Sequence, residues 1–586
     1  MDVDRVIADD LATKAAFQTL TALQLTAYLW PQQAQVYDGD YFDFIVIGAG
    51  TAGSVIASRL TEIPDVTVLL VEAGEDPPIQ SMLPALNSYM KNTPYNWNIT
   101  SKKDGYTSQC RKRKYIQLNG GRMLGGSSSI NYNVYTRGSV YDYDRMAAAA
   151  NDSCWNWSGV LPYFKKSEKL TDEKILRSRY GSFHGTDGCM GVKRYYNMAT
   201  ENYLKSFAEL DNNIVLDVNG NESMGYTETM FTIANETRQS TAYSFLTKAK
   251  DRPNLYLLKN TRVIKITFDG NNVATGVMLL RGDNTTLTVK ATKEVILSAG
   301  AVYSPQLLML SGIGPARHLI CKRIKVIADL PVGERFQNHV YIIVAIKTHK
   351  IKDKPEPPNP HETPLPHISG YVSLDKKLNY PQYQSLNFII NNPTTFLRFC
   401  VLNYEFEDEI CQSMYDQIDG REIMLTELNL LHPESEGKIL LRDKNPLSNP
   451  LISVGYYSKK TDLKQHISFL KDFLQVINTT YFKNVKAEMI LPKSKCKNLQ
   501  GDEYWECYAL CLMGAEHHYT GTCAMGAVVD NRLKVYSVKN LRVADAGVIP
   551  YVIGANTAAA AVMVGEKAAD IIKEDHGYIT PTRCTK

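Results

Sequence analysis

The sequence predicts an α/β fold in which a Rossmann-like parallel sheet, assembled from separated segments, carries a second domain inserted between them. Three observations predict it. Phe44-Ile-Val-Ile-Gly-Ala-Gly-Thr-Ala-Gly53 runs four apolar residues into Gly48, Gly50 and Gly53. An amphipathic segment (Ser54 to Thr61) follows, and a second buried-strand pattern, Val66 to Val71, delivers Glu72. Segments 293–300 and 540–547 repeat the pattern of a buried strand ending at a glycine or an acid. In an open parallel sheet the ligand lies at the carboxyl ends of such strands.

The first turn has the geometry a dinucleotide needs. Gly48 permits the tight turn, Gly50 lets backbone approach a pyrophosphate, and Gly53 lets the helix close on the sheet. Thr51 and Ala52 open that helix, whose N-terminus offers free N–H groups and a partial positive charge. Glu72 is placed to accept hydrogen bonds from a ribose diol and would repel a 2′-phosphate. A second glycine-rich element, Gly120-Gly-Arg-Met-Leu-Gly-Gly-Ser-Ser-Ser-Ile-Asn-Tyr132, brings several backbone N–H groups to one point. That suits a phosphate or an electron-poor ring better than a linker does.

At 586 residues the chain is long enough for several domains. Its 65 basic and 61 acidic side chains nearly balance, and the densest basic run, Arg111-Lys-Arg-Lys114, reads as a solvated loop, so nucleic acid is not implied. No stretch is long and apolar enough for a transmembrane helix. Ala15 to Trp30 is a weak signal-peptide core or a surface helix, and residues 1–40 read as a leader or appendage. Seven Asn-x-Ser/Thr sequons and eleven cysteines favour a secreted or lumenal protein over a cytosolic one. Cys400/Cys411 and Cys496/Cys507/Cys511 lie at spacings where disulfides would close short loops, and no zinc spacing occurs, so no metal is expected.

Along the chain, residues 41–154, 227–330 and 515–586 are assigned to the nucleotide domain, and 155–226 with 331–514 to the second. Val160 to Lys169 reads as a helix, Asn254 to Lys259 and Arg262 to Phe268 as strands, and Asp269 to Asn272 as a ribbon turn. A helix is expected to start near Pro305. Six prolines from Pro355 to Pro366 mark a surface excursion, and an alanine-rich helix spans Thr557 to Lys573.

Gly121 to Asn131 resembles the first signature of the glucose–methanol–choline (GMC) family of FAD oxidoreductases. Gly300-Ala-Val-Tyr-Ser-Pro-Gln-Leu-Leu-Met-Leu-Ser-Gly-Ile-Gly314 resembles its second. Trp155 to Phe164, Phe183 to Gly188, Ser240 to Leu246 and Val332 to His339 are supporting matches. The detail looks most like the insect glucose dehydrogenase and ecdysone oxidase group. The resemblance implies an α+β substrate domain around an antiparallel sheet and FAD as cofactor. It would place the ADP half on Gly48–Gly53 and Glu72, with Val263 near the adenine. The flavin would sit against Gly126, Ser127, Asn131, Tyr132 and Val134, with Asp545 near the pyrophosphate or ribityl chain and Thr557 near the ring. Some relatives tether flavin through a histidine where this chain has Ile130, so FAD should be non-covalent.

The same resemblance selects His518 over His517 in Glu516-His-His-Tyr-Thr-Gly-Thr-Cys-Ala-Met-Gly526 as the base. Imidazole titrates near neutrality, and removal of a C–H as hydride needs the O–H proton taken away. Two adjacent residues of an extended loop point in opposite directions, so only one is expected to face the flavin. Asn556 would be the second site residue, donating to the substrate oxygen, unless it caps the last helix. Tyr519 stands where a proline is common, and Ala555 with Ala558–Ala561 departs from the glucose-dehydrogenase version. The expected activity is FAD-dependent oxidation of a small-molecule alcohol to an aldehyde or ketone, with O2 or a quinone-like acceptor. Phe388-Ile-Ile, Phe396-Leu-Arg-Phe and Met424-Leu suggest an apolar substrate such as an ecdysteroid. The alternatives are a sugar, a flavin-binding protein without turnover, and light- or lyase-type chemistry.

Overall fold

The structure, a computed structural model, describes residues 28–352, 365–494 and 496–580. Of the leader or appendage expected over 1–40, residues 1–27 lie outside the described residues, as does most of the proline-rich excursion. The described chain gives β1 (Tyr41–Ile47), α1 (Thr51–Leu60), β2 (Val68–Val71), β3 (Gly225–Glu228), β4 (Leu255–Leu258), β5 (Thr261–Phe268), β6 (Ala274–Arg281) and β7 (Thr286–Leu297). Helix α2 (Gly300–Leu310) precedes β8 (Val340–Lys350), β9 (His367–Val372), β10 (Tyr383–Ile390), β11 (Arg421–Leu430), β12 (Glu488–Met489), β13 (Met513–Ala515), β14 (Leu541–Val543) and α3 (Ala558–Asp575).

One sheet has the order β4-β2-β1-β7-β6-β5, with β14 also on β7. The pairings among β4, β2, β1, β7 and β14 are parallel, whereas β5, β6 and β7 form an antiparallel meander. Phe44, Ile45 and Val46 are fully buried, as a parallel strand covered on both faces requires. Helix α3 covers α1 closely: a Cβ on Gly565 would lie 2.9 Å from the Ala52 carbonyl oxygen. Ahead of β1, Trp30 and Val36 pack into this core, and Ala34 N–H donates to Leu257 O at 2.8 Å.

The other large sheet has the order β12-β8-β11-β10-β9-β3, with β13 also on β8, all antiparallel. Its aromatic and aliphatic core is separate from the first. Among the described residues no helix is long and apolar enough to cross a membrane.

Helix α2 begins at Gly300, five residues before the proline expected to start it, and Pro305 lies inside it. Proline cannot donate to the carbonyl four residues back. That carbonyl, Ala301 O, instead accepts the Thr522 hydroxyl at 2.7 Å. The proline therefore anchors the 516–526 segment to α2.

Cys400 bonds Cys411 and Cys496 bonds Cys507, both short loops. Cys511 does not join its neighbours; it bonds Cys110, 401 residues away. Both partners of that long-range bond are buried in the second core.

A buried charge network stands beside the sheets. Arg137 Nη2 meets Glu168 Oε2 at 2.7 Å, His184 Nδ1 lies 3.0 Å from the same carboxylate, and His184 Nε2 lies 3.2 Å from Asp217. Burial pushes His184 toward neutrality, but its hydrogen bonds to Asp217 and Glu168 prevail and raise its pKa. Burial likewise opposes ionisation of Glu168, yet Arg137 and His184 hold its pKa below the ordinary value. The stabilisation from His184 is thus full below its unfolded pKa, about 6.5, and fades as pH rises through the raised folded value. That from Glu168 fades as pH falls through its depressed one.

Glu168→Gln is expected to strand Arg137 without a carboxylate, a loss of about 3–5 kcal/mol. A thermal melt at neutral pH should show a drop of several degrees. The pH dependence above about pH 6.5 should flatten, because His184 has lost one of its two carboxylate partners.

Candidate active site

Backbone meets backbone at the centre of the molecule. Gly48 has φ +96°, and a Cβ there would lie 2.6 Å from Ser298 O; one on Gly53 would lie 1.9 Å from Gly48 O. Gly126 has φ +52°, and its Cβ would fall 2.7 Å from Gly50 Cα. Any side chain at these positions would push the first βα turn off either β7 or the 120–131 loop. With none present, the N-terminus of α1 opens directly on a large cavity.

That cavity gathers the residues singled out from sequence. Gly48, Gly50, Thr51, Ala52, Glu72, Gly126, Ser127, Asn131, Tyr132, Val134, Val263, Asp545 and Thr557 line it, together with His518 and Asn556. Gly53 alone does not; it closes the helix on the turn.

Glu72 is more than a free ribose acceptor. Its Oε2 accepts Ala49 N–H at 2.9 Å and its Oε1 accepts Gly74 N–H at 2.8 Å. Burial prevails over those bonds and raises its pKa to about 7. Asp545 ties the third strand end to α2, accepting Gly300 N–H at 2.9 Å and the Ser304 hydroxyl at 2.5 Å. Beside Val263, Arg262 stacks over Trp97 and Tyr303 at 5.4 and 5.3 Å, leaving a cation on the cavity wall.

The catalytic candidates meet from opposite sides of the chain. Asn556 Nδ2 lies 3.3 Å from His518 Nε2, and Asn556 Oδ1 accepts Gln384 Nε2 at 3.1 Å. Neither atom caps α3, whose N-cap is Thr557. His518 N–H donates to Asn338 Oδ1 at 2.6 Å, and His518 Nδ1 lies 2.9 Å from His339 Nδ1. Burial, then His339 and His517, hold the His518 pKa well below the ordinary value. A neutral imidazole with its Nε2 toward Asn556 can accept a proton and can be steered by an amide donor.

His517 does not turn away, as alternation in an extended loop would require. It has φ +65°, a left-handed conformation that breaks the alternation, and it also lines the cavity. Its Nε2 lies 3.0 Å from Asn119 Nδ2 and its Nδ1 2.7 Å from the Tyr519 hydroxyl. Tyr519, at the position where a proline is common, thus anchors His517.

The expected apolar lining is only partly there. Phe388 lines the cavity with Leu386, Tyr341 and Tyr404, whereas Ile389, Ile390, Phe396 and Met424 are core. Two half-buried carboxyls share the same wall, Glu427 and Glu516. Burial raises the pKa of both, Glu516 to about 7. Tyr404 donates to Glu427 at 2.9 Å and Asn429 to Glu516 at 2.8 Å. Sequence reasoning assigned no role to His339, Gln384, Glu427 or Glu516. His339 closes the Val332–His339 motif and Glu516 opens the 516–526 motif, which were the available signals.

The N- and C-terminal models of the GMC oxidoreductase family match residues 42–341 and 433–565. The chain is 36% identical over 583 residues to an ecdysone oxidase of Bombyx mori, covering 96% of this chain and 86% of that protein. It is 33% identical over 570 residues to a glucose dehydrogenase [FAD, quinone] of Drosophila melanogaster, covering 92% and 88%. Formate oxidase of Aspergillus oryzae shares the fold, with TM-score 0.80 and 24% identity over 93% of this chain and all of that one.

The residues present fit FAD. A side-chain-free turn, a helix N-terminus, Arg262 and a carboxylate at the end of β2 face one cavity. Glu72→Ala is expected to cost more than a ribose contact, because the buried N–H groups of Ala49 and Gly74 lose their acceptor. Each unpaired group costs about 1–3 kcal/mol. FAD retention on a desalting column and the melting temperature of the flavin-free protein should both fall. A fall in FAD retention alone would limit Glu72 to the ligand.

Proposed function

This chain belongs to the GMC oxidoreductase family, as an FAD-dependent enzyme acting on CH–OH donors, and we propose that it oxidises an apolar alcohol with His518 as base. The observation that carries this reading is the His518–Asn556 pair opening on the same cavity as the Gly48–Ala52 turn. Bound FAD supplies the acceptor for the hydride leaving the alcohol carbon. His518 Nε2 takes the hydroxyl proton, so the C–H electron pair leaves without building full positive charge on carbon. Asn556 Nδ2 donates to the same oxygen and holds it between the two groups as its negative charge grows.

The parallel sheet, β1, β2, β4, β7 and β14, is read as the discontinuous dinucleotide domain, and the antiparallel sheet as the substrate domain. An ecdysteroid-like alcohol suits a wall that combines Phe388, Leu386 and Tyr341 with acceptors at Glu427 and Glu516. Those carboxyls also favour a second reading, a sugar rich in hydroxyl donors. Reoxidation is assigned to O2 or a quinone-like acceptor. The disulfides Cys110–Cys511, Cys400–Cys411 and Cys496–Cys507 among the described residues fit an oxidising compartment, so the protein is read as secreted or lumenal.

His518→Ala is expected to keep the bound-flavin spectrum while anaerobic bleaching by an alcohol slows roughly a hundredfold or more, the usual worth of a positioned base. Asn556→Ala should cost less, since a donor but no proton acceptor is lost. His517→Ala, which releases only Asn119 and Tyr519, should cost least; a larger effect there would move the base to His517.

At the position where a histidine tether would stand, Ile130 presents an alkyl chain to the cavity. Acid denaturation should therefore leave yellow FAD in the supernatant. Flavin retained by the precipitated chain would overturn the non-covalent assignment.

A further inference from the structure

We infer that His339 is a positioning residue: its ring decides which nitrogen of His518 carries the proton, keeping the Nε2 lone pair on the substrate side. This rests on the reading of His518 as the base. For two neutral rings, the contacts to Leu431 and Asn556 are satisfied together by one arrangement. A carbonyl oxygen can only accept, so His339 Nε2, 3.1 Å from Leu431 O, carries that ring's hydrogen. Its Nδ1 is then bare in the neutral ring, and His518 Nδ1, 2.9 Å away, must donate to it. The hydrogen of His518 is spent there, which leaves Nε2 bare.

The opposite end of the chain of bonds demands the same state independently. Asn556 Nδ2 can only donate, so the His518 Nε2 it faces at 3.3 Å must accept. The orientation of that amide is itself fixed. Gln384 Nε2 donates to Asn556 Oδ1 at 3.1 Å, and Asn429 Nδ2 donates to Gln384 Oε1 at 3.1 Å and to Glu516 Oε1 at 2.8 Å. The opposite tautomer would place two N–H groups, or two lone pairs, against each other at both of its contacts.

His339 also has a task during proton uptake. When His518 Nε2 takes the hydroxyl proton, the ring becomes a buried cation whose Nδ1–H still points at a bare nitrogen. That bond becomes charge-assisted and strengthens as the charge forms. His339 is fully buried and held neutral, with a pKa of about 4, by burial and by His432. The titratable groups around the two rings are His517, His432 and Asp142.

The test uses FAD-loaded His339→Leu, His339→Asn and His518→Ala, with anaerobic bleaching followed from pH 5 to 9. Ecdysone, glucose and a benzylic alcohol serve as donors. His339→Leu should keep the flavin spectrum and donor affinity but slow bleaching roughly 10- to 100-fold, as losing a ligand-orienting partner does elsewhere. Its acid limb should move to lower pH, because the cation has lost an acceptor. In His339→Asn the amide oxygen stands near the lost Nδ1 and should restore most of the rate and the limb. His339→Leu at the wild-type rate would overturn the inference. So would equal loss in both His339 variants accompanied by lost flavin or donor affinity, which marks a packing role. Unimpaired His518→Ala, or no bleaching of wild type by any donor, would instead sink the reading of the base itself.

Discussion

The approach of Gly126 to Gly50, where a Cβ would fall 2.7 Å from the opposing Cα, is the contact on which the site is built. It holds the first βα turn and the 120–131 loop together with backbone alone. Ser298, at the end of β7, closes the third side against Gly48. The N–H groups of Gly48, Ala49, Gly125 and Gly126 are bonded within the chain, so it is the first turn of α1 that offers free N–H groups to an anion in the cavity. The cost is borne by the chain: glycine in these conformations gives up the most backbone freedom on folding.

A second constraint sets the other half. β8 and β13 pair antiparallel with Val340 opposite Ala515, and Glu516 N–H donates to His339 O at 3.1 Å. His339 precedes one strand and His518 follows the other, so a sheet ladder fixes the spacing of the two rings. Asn338 reinforces it through the His518 N–H. Thr522 and Ala301 then tie this segment to α2, which descends from the parallel sheet. The base is therefore positioned by the antiparallel sheet and registered against the parallel one by a hydrogen bond that a proline made available.

Local signals carried much of this in the sequence. The strand-turn-helix of 44–60, the strands near 255, 262 and 541, and the last helix were legible because period and punctuation are properties of neighbours. The placement of His518 and Asn556 on one cavity followed from motif register. What stayed hidden was long-range or conformational. Cys511 had a near partner by spacing, yet it bonds Cys110. Helix α2 ran back through Pro305 because a side chain 221 residues away supplied the missing donor. The alternation argument for the two histidines assumed extended backbone, which the φ of +65° at His517 removes. Apolar runs near 389, 396 and 424 read alike whether they line a cavity or fill a core, and here they fill the core.

Burial ties these features into one electrostatic design. His339, His517 and His518 are all pushed toward neutrality, and Glu427 and Glu516 toward protonation, largely by loss of water. A site of neutral groups costs little to keep dry, but it stabilises an arriving charge poorly. The bonds around His518 answer that problem locally. Its neutral ring is held by an amide donor at one nitrogen and an imidazole acceptor at the other. Proton transfer to Nε2 therefore creates a cation already facing its acceptor, with no reorganisation of water required. The same reasoning separates the two neighbouring histidines. His517 Nδ1 meets a tyrosine hydroxyl on its own loop, so its environment is set by that loop and by Asn119 and not by a second imidazole held behind a sheet ladder.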